Sequence, residues 1–249
     1  LFSESSVSLN SVFNNENMQD FVHLHVHTQY SLLDGQASVS RLVDKAMKDG
    51  MKGIAVTDHG NMFGIKEFTN YVNKKNSGPK GEIKDLKKRI AGIESGEIEC
   101  EDKEAEIADC RAKMAEAESK LFKPIVGCEM YVARRTMDKK EGKPDQGGYH
   151  LIVLAKNEKG YHNLIKLVSH AWTRGYYMRP RTDRSELEKY HEGLIVCSAC
   201  IGGEVPKKII NDQLEEAEEA VRWYKNLFGD DYYLELQRHK ATVPRANHE

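Results

Sequence analysis

The chain has 249 residues, of which 39% are hydrophobic and 31% are charged, and its net charge is −2. One α/β domain can reach this length, and the near-neutral balance excludes binding to nucleic acid or membrane through overall charge alone. Five cysteines, an odd and thinly spread number, argue against a disulfide framework and for a reducing compartment. With no apolar run near the ~20 residues of a membrane span, we expect a cytoplasmic protein.

The first segment, residues 1–17, is rich in Ser and Asn and has no hydrophobic periodicity. This composition predicts a disordered or non-native leader, and Met18 stands just before the first predicted strand. We therefore expect the folded domain to begin at residue 18 and to run to residue 249. The last residues, 241–249, follow a predicted strand without a further element, as expected of a fragment.

Strand-like apolar runs then alternate with helical patterns along the chain. Strands are predicted at 21–26, 53–57, 125–133, 150–155, 194–198 and 232–236. Helices are predicted at 39–48, 66–74, 161–172, 205–211 and 214–228. Repeated βα units indicate an α/β fold with a mainly parallel sheet, and the lack of a glycine-rich dinucleotide motif favours a barrel over a doubly wound sheet.

One segment, residues 80–121, departs from this alternation, because 21 of its 42 residues are charged. Its apolar residues recur at spacings of three and four on both sides of residues 94–97, which predicts two helices joined by a turn there. We interpret this hairpin as a solvated insertion, since charged helices usually face water. A partner-binding arm is the less favoured alternative.

Three histidines, His23, His25 and His27, occupy alternate positions in the first predicted strand and just after it. Alternate residues of a strand point to one face, so their imidazoles are expected to converge. Neutral imidazole is the commonest protein ligand for zinc and also suits other transition metals. The pattern predicts a metal site, although an exposed strand could also carry such histidines.

Further His, Asp, Glu and Cys residues lie in the later predicted strands or shortly after them. They are Asp58, His59, Glu129, His150 and Cys200. In a parallel barrel the side chains at the strand ends gather on one face, so these residues predict one shared cluster. Each also has a simpler interpretation: Asp58 could cap the next helix, and Cys200 could be a buried thiol.

Taken in order, these motifs resemble those of a known family. His-x-His-Thr, Thr-Asp-His-Gly, Gly-x-Glu, a strand histidine and Ser-x-Cys resemble the PHP (polymerase and histidinol phosphatase) family of metal-dependent phosphoesterases. The longer phrases at 30–35, 57–64, 179–183 and 193–200 are similar to the amino-terminal PHP domains of bacterial replicative DNA polymerases. The resemblance implies a distorted (βα)7 barrel, here incomplete at the carboxyl end, with the helical hairpin as an insertion.

The resemblance also implies a ligand set and a cofactor. The implied ligands are His25, His27, Asp34, His59, Glu129, His150 and Cys200. They would hold two or three divalent cations, which could be zinc, manganese or iron, with Glu129 as a bridge. The catalytic residues implied are His25, His27, Glu129 and Asp58, whereas His23 is expected to support a ligand from outside the ligand set or to be structural. The family completes its site with a later Asp-x-His motif, which does not occur before residue 249.

The resemblance implies phosphoester hydrolysis and, in a replicative polymerase, a 3′–5′ exonuclease role in proofreading. The expected partners are DNA, the remainder of the polymerase chain and other replicase subunits such as the sliding clamp. The polymerising carboxylates would lie beyond residue 249. Two alternatives stay open: a stand-alone phosphatase of the histidinol phosphatase type, and a non-catalytic structural module.

A run of arginines interleaved with aromatic residues covers residues 174–184. Arginine can grip phosphate and an aromatic ring can stack on a base. We therefore predict nucleic-acid contacts at Arg174, Tyr177, Arg179 and Arg181. The alternative is that these arginines are solvated or paired with acids.

Overall fold

A computed structural model describes residues 21–32 and 34–237 of the chain. The predicted leader, 1–17, and the final residues, 241–249, lie outside this part. Within it the fold is mixed α/β, with eight α-helices and a six-stranded sheet. None of the helices in the described ranges is both long enough and apolar enough to cross a membrane.

Helices and strands alternate along most of the chain. The helices are α1 (Val39–Lys48), α2 (Ile65–Lys75), α3 (Ser77–Ser95), α4 (Lys103–Ser119), α5 (Glu158–Thr173), α6 (Arg184–Tyr190), α7 (Glu204–Ile210) and α8 (Leu214–Phe228). The strands are β1 (Gly53–Val56), β2 (Lys123–Val132), β3 (Tyr149–Ala155), β4 (Arg181–Thr182), β5 (Leu194–Cys197) and β6 (Tyr232–Tyr233). The five helices predicted outside the charged segment are confirmed, whereas α6 and β4 were not predicted.

The sheet has the order β1-β2-β3-β5-β6, and β4 pairs with the far end of β2. Three pairs are parallel, but β3 is antiparallel to both β2 and β5. The expectation of a mainly parallel sheet was therefore wrong at its centre. The connection from β2 to β3 contains only a short 3₁₀ turn, Lys143–Asp145, and without a crossover helix the chain returns in the opposite direction. The sheet does not close into a barrel within the described residues.

The predicted strand at 21–26 is not a strand of the sheet, although it lies beside β1. Only two backbone bonds join them, from Ala55 to His23 (2.9 Å) and from Thr57 to Val26 (2.8 Å). The Val26 N–H donates to the Thr57 hydroxyl at 2.8 Å, so its acceptor is a side-chain oxygen and not the backbone carbonyl that a sheet would supply. The last strand is likewise shorter than predicted, because the Glu235 N–H is bonded to the Ser198 hydroxyl at 2.9 Å.

The two faces of the sheet have different environments. On β3, Leu151 and Val153 belong to the core that α5 and α8 cover, while Ile152 and Leu154 pack on the opposite face. The α5 residues that meet this core recur at spacings of three and one along the helix, as one helical face requires: Leu164, Leu167 and Val168. The alternation along each strand therefore decides which polar side chains face away from the helices.

The charged segment forms the predicted helical hairpin, made of α3 and α4. Gly96 ends α3 in the left-handed conformation at φ 81°, which glycine adopts without a steric cost and which lies inside the predicted turn. At the base, the Asn76 amide donates to Phe122 O (2.8 Å) and accepts from Phe122 N (3.0 Å). The hairpin therefore begins and ends at adjacent points of the fold, and its interpretation as an insertion stays a prediction.

Candidate metal centre

Glu129 lies at the centre of the candidate site, on β2. Its neighbours Cys128 and Met130 face the helix-covered core, so the alternation of the strand points the Glu129 carboxylate to the other side. Glu129 is 0% exposed. A buried carboxylate is costly unless it is paired, so the groups around it decide what this site can do.

Three histidines surround one oxygen of this carboxylate. Glu129 Oε2 lies 3.0 Å from His25 Nε2 and 2.6 Å from His27 Nε2. His59 Nδ1 is 3.4 Å away, and this residue follows β1, which is the parallel neighbour of β2. The sequence motifs at residues 25–27 and at residue 59 thus meet on Glu129, as predicted.

The other oxygen contacts the remaining strand-end residues. Glu129 Oε1 lies 2.8 Å from His150 Nδ1 and 3.6 Å from Cys200 Sγ. The sulfur is also 3.5 Å from His150 Nδ1 and accepts the Gly202 N–H at 3.4 Å. The thiol therefore belongs to the cluster and is not an isolated apolar cysteine.

Asp34 closes the cluster on its outer side. Its Oδ2 lies 2.9 Å from His27 Nδ1 and 3.0 Å from His59 Nε2. The Asp34 side chain is 40% exposed, whereas the Glu129 side chain is 1% exposed. All seven residues predicted as ligands thus lie together, with Asp34 at the mouth and Glu129 at the floor.

The charges in the cluster shift the titration of its members. Burial opposes the charged form of His25, but hydrogen bonds to Glu129 and Glu235 outweigh it and raise the pKa of His25 to about 10. Bonds to Cys200 and Glu129 likewise overcome burial and raise the pKa of His150 to about 9. Burial would raise the pKa of Glu129, but its histidine partners lower it. The carboxylate is therefore charged and draws positive charge into the site.

The donor arrangement fits divalent cations. His59 directs Nε2 at Asp34 (3.0 Å) and Nδ1 at Glu129 (3.4 Å), yet a neutral imidazole has only one N–H. The buried His59 Nδ1 makes no hydrogen bond, and burial lowers the pKa of His59, which favours the neutral ring with a free lone pair. In the described residues, three overlapping ligand groups have atoms within 4.8 Å of one another: His25/His27/Glu129, His27/Asp34/His59 and His59/Glu129/His150. Nitrogen, oxygen and sulfur donors of this kind suit transition metals.

Sequence reasoning missed Glu235 as a member of the site. Its Oε1 lies 2.8 Å from His25 Nδ1 and accepts the Gln237 amide at 2.7 Å. A carboxylate on the far nitrogen orients a ligating histidine and raises its basicity. An acid between Leu234 and Leu236 in a predicted strand was a signal that could have identified it.

Asp58 and His23 lie outside the ligand groups. The buried Asp58 carboxylate accepts the Thr28 N–H at 2.5 Å and the Thr28 hydroxyl at 2.8 Å, so it fixes the residue that follows His27. Burial raises the pKa of Asp58 despite these two bonds. His23 is exposed and packs edge-on against Phe21, and the role expected for it stays a prediction.

Arg181 cannot contact nucleic acid in this structure, contrary to the prediction. It is 0% exposed, and its guanidinium donates to the carbonyls of Gly175 (3.1 Å), Asp145 (2.9 Å), Met137 (2.8 Å) and Lys139 (3.0 Å). A side chain whose donors are used inside the protein has none left for phosphate. Arg181 holds the loop that precedes β3.

The other three predicted contacts lie at the surface or partly so. Arg179 is exposed and lies 5.8 Å above the Tyr131 ring, which is itself stacked on His59 with 5.4 Å between ring centroids. Arg174 lies 3.4 Å from the Glu186 carboxylate. The Tyr177 hydroxyl accepts the Gly142 N–H at 3.2 Å. Of these three residues, Arg179 is the one linked to the cluster through a single intervening side chain, that of Tyr131.

Comparison with known proteins identifies the class of domain. Residues 23–239 match the PHP domain family, and the chain belongs to that family. The curated proteins that it resembles include three named DNA polymerase III subunit alpha: 43% identical over 220 residues in Borreliella burgdorferi, 39% over 221 residues in Treponema pallidum and 36% over 225 residues in Aquifex aeolicus. Each match covers 88% of this chain but only 15% to 16% of the relative. The family predicted from the motifs is confirmed.

Proposed function

We propose that this chain is the PHP portion of a bacterial DNA polymerase III alpha subunit and that its metal centre hydrolyses phosphodiesters. Residues 18–249 would form the domain, with the insertion at about 80–121. The observation that carries the proposal is the buried Glu129 carboxylate, which four histidines and one cysteine surround. The names of the relatives support the polymerase context.

The centre is proposed to hold two or three divalent cations, with zinc, manganese and iron as candidates. His25, His27 and Glu129 would hold one, His27, Asp34 and His59 another, and His150 with Cys200 would complete the group around Glu129. Such cations, when bound, neutralise phosphate charge and lower the pKa of water. The shared ligands would keep the cations close together.

The residues of the chain have separate tasks in this proposal. Glu129 supplies a fixed negative charge on a floor that excludes water, and Glu235 orients His25. Asp58 holds Thr28 and thereby the backbone next to His27. We therefore propose a positioning role for Asp58, in place of the catalytic role that the family resemblance implied.

In a replicative polymerase, the natural substrate of such a centre is the 3′ end of a DNA strand. We propose a 3′–5′ exonuclease activity that contributes to proofreading. The partners proposed are DNA, the remainder of the alpha chain and other replicase subunits such as the sliding clamp. Arg179 is the predicted arginine that is both exposed and linked to the cluster through Tyr131, so we retain it as a phosphate contact.

The first test is metal analysis of the full 249-residue chain. We expect bound transition metal in the unmodified chain and at least about a tenfold loss of affinity in Glu129→Gln and His25→Ala, since ligands and their partners contribute this much. His162→Ala is the matched control, because His162 is 61% exposed on α5 and has only Glu158 as a distant ionic neighbour. Equal metal content in all four proteins would contradict the proposal.

The second test is nucleotide release from single-stranded DNA by the full-length polymerase that contains this chain. Glu129→Gln should abolish the metal-dependent part of this activity, and His162→Ala should not. A protein that binds metal but releases no nucleotide would instead support the structural-module alternative.

A further inference from the structure

An exposed aromatic surface lies beside the metal centre. It consists of Phe63, Trp172 and Tyr176, which we call the aromatic platform and which are 60%, 41% and 49% exposed. The Trp172 and Tyr176 rings are stacked, with centroids 5.6 Å apart and planes at 20°, and the Phe63 ring is 6.0 Å from Trp172. Exposed apolar patches of this kind mark interaction sites, because leaving such surface in water is unfavourable.

The platform is hydrogen-bonded to the residue that follows a member of the cluster. The Trp172 indole N–H donates to the carbonyl of Gly60 at 2.7 Å, and Gly60 follows the ligand His59. Gly60 has φ +63°, and a Cβ there would lie 2.6 Å from Pro180. The close approach to Pro180 requires glycine at position 60. Two consecutive residues therefore serve both features: His59 is a ligand, and Gly60 supplies the carbonyl that the Trp172 indole contacts.

Positive charge lies on the same side of the molecule. The exposed Arg179 follows Met178, which has φ 62° and is 62% exposed, in a tight turn closed by the Tyr177 N–H to Arg179 carbonyl bond at 3.0 Å. Arg179 lies over Tyr131, and Tyr131 stacks on His59. Aromatic faces and an arginine next to a metal centre are complementary to bases and phosphates together, whereas a purely apolar partner would leave the arginine without a counter-charge.

We propose that the aromatic platform stacks unpaired bases of a single nucleic-acid strand whose terminal phosphodiester lies in the metal centre. The proposal rests on the proposed function and names its substrate as single-stranded. In a duplex the faces of the bases are covered by their neighbours, so only an unpaired strand can offer them to Trp172 and Tyr176. Arg179 then neutralises a phosphate of the same strand.

The first experiment measures binding of the full chain to a labelled oligodeoxythymidylate with a phosphorothioate backbone, which resists cleavage. Tyr176→Ala and Phe63→Ala should each weaken binding by about tenfold, the size of one base–aromatic stack, while Tyr176→Phe keeps the ring and should bind normally. Leu214→Ala is the matched control, because Leu214 is 61% exposed, close to the 60% of Phe63, but lies at the start of α8. Metal content is measured on the same samples and should not change.

The second experiment uses the fact that the chain has only two tryptophans, Trp172 and Trp223. In Trp223→Phe all tryptophan emission comes from Trp172, and a stacked base should quench it as the oligonucleotide is added. In Trp172→Phe the remaining emission comes from Trp223 on α8, and the same titration should leave it unchanged. A blunt duplex of matched length should quench neither protein.

Several results would overturn the inference. They are absence of single-strand binding, equal binding by Tyr176→Ala and the unmodified chain, quenching of Trp223 alone, and equal quenching by duplex. Any of these results, in a protein with normal metal content, would contradict base stacking on the aromatic platform without contradicting the proposed metal centre. A chain without metal that still shows Tyr176-dependent stacking would overturn the proposed function and keep the strand-binding surface.

Discussion

Arg179 and Arg181 show how two residues of the same type, two positions apart, differ in their environment. Arg179 is exposed above an aromatic ring beside the cluster. Arg181 is buried and donates to four backbone carbonyls. Arg179 precedes β4 and Arg181 begins it. The difference between them comes from the loop whose carbonyls surround Arg181.

This contrast predicts different effects of the same substitution. Arg181→Lys should destabilise the fold by about 2–4 kcal/mol, because a lysine has three donors on one atom and leaves buried carbonyls unpaired. Arg179→Lys should leave the free energy of unfolding nearly unchanged, since it lies at the surface. Urea denaturation of both variants measures this difference. Equal stability of the two would contradict the role assigned to Arg181.

Much of the candidate site could be predicted from single residues. The seven predicted ligands lie in short motifs that place His, Asp, Glu or Cys in apolar strands or beside them. The structure brings all seven side chains together. Glu235 and Tyr131 were missed, since an acid or a tyrosine in a strand has many structural uses. Arg181 was misassigned because sequence does not show whether an arginine in an aromatic run is exposed.

At the scale of elements, helices were easier to predict than strand directions. The bounds predicted for α1 and α8 agree with the structure, because each helix has a clear apolar face that meets the core. The direction of β3 could not be deduced, since the pattern of a strand is the same in both directions. Strand β4 has only two residues, too few for a periodic signal. Helix α6 was missed, although α7, which also has seven residues, was predicted.

The base of the helical hairpin depends on one side chain. Asn76→Ala would leave the buried Phe122 N–H and carbonyl unpaired, and we expect a loss of about 2–4 kcal/mol in the free energy of unfolding. Arg89→Ala is the comparison, because it removes an exposed ion pair with Glu106 in the middle of the hairpin and surface pairs contribute little. Thermal and urea denaturation should rank the two variants in that order. The reverse ranking would show that the hairpin is held by its surface charges.

The same contacts make the insertion hypothesis testable. Because Asn76 and Phe122 are hydrogen-bonded to each other, a short Gly/Ser linker can replace residues 77–121 without stretching the chain. We expect the shortened protein to fold and to bind as much metal as the unmodified chain, since none of the seven ligands lies in the hairpin. Metal analysis and circular dichroism measure this. Loss of metal in a folded protein would show that the hairpin supports the centre.

At the scale of the whole molecule, the metal centre joins segments that are distant in sequence. His25 and Glu235 are 210 residues apart and lie within 2.8 Å of each other, and His25 and Glu129 are 104 residues apart. The segments at 21–26 and 234–237 make few ladder bonds to the sheet, and His25 and Glu235 attach them to each other and to Glu129. Cations that bind there should therefore stabilise the whole fold and not only the site.

Removal of metal should consequently lower the melting temperature of the chain. A ligand at 100 times its Kd stabilises the native state by about 2.7 kcal/mol, and for a chain of this size each 1 kcal/mol corresponds to roughly 2–4 °C, so a chelator should lower Tm by about 5–11 °C. Glu129→Gln, which is expected to bind little metal, should respond far less to the same chelator. Chelator saturated with zinc beforehand is the control for direct effects on the protein. A chelator shift of equal size in the unmodified chain and in Glu129→Gln would mean that the stabilising cation binds elsewhere.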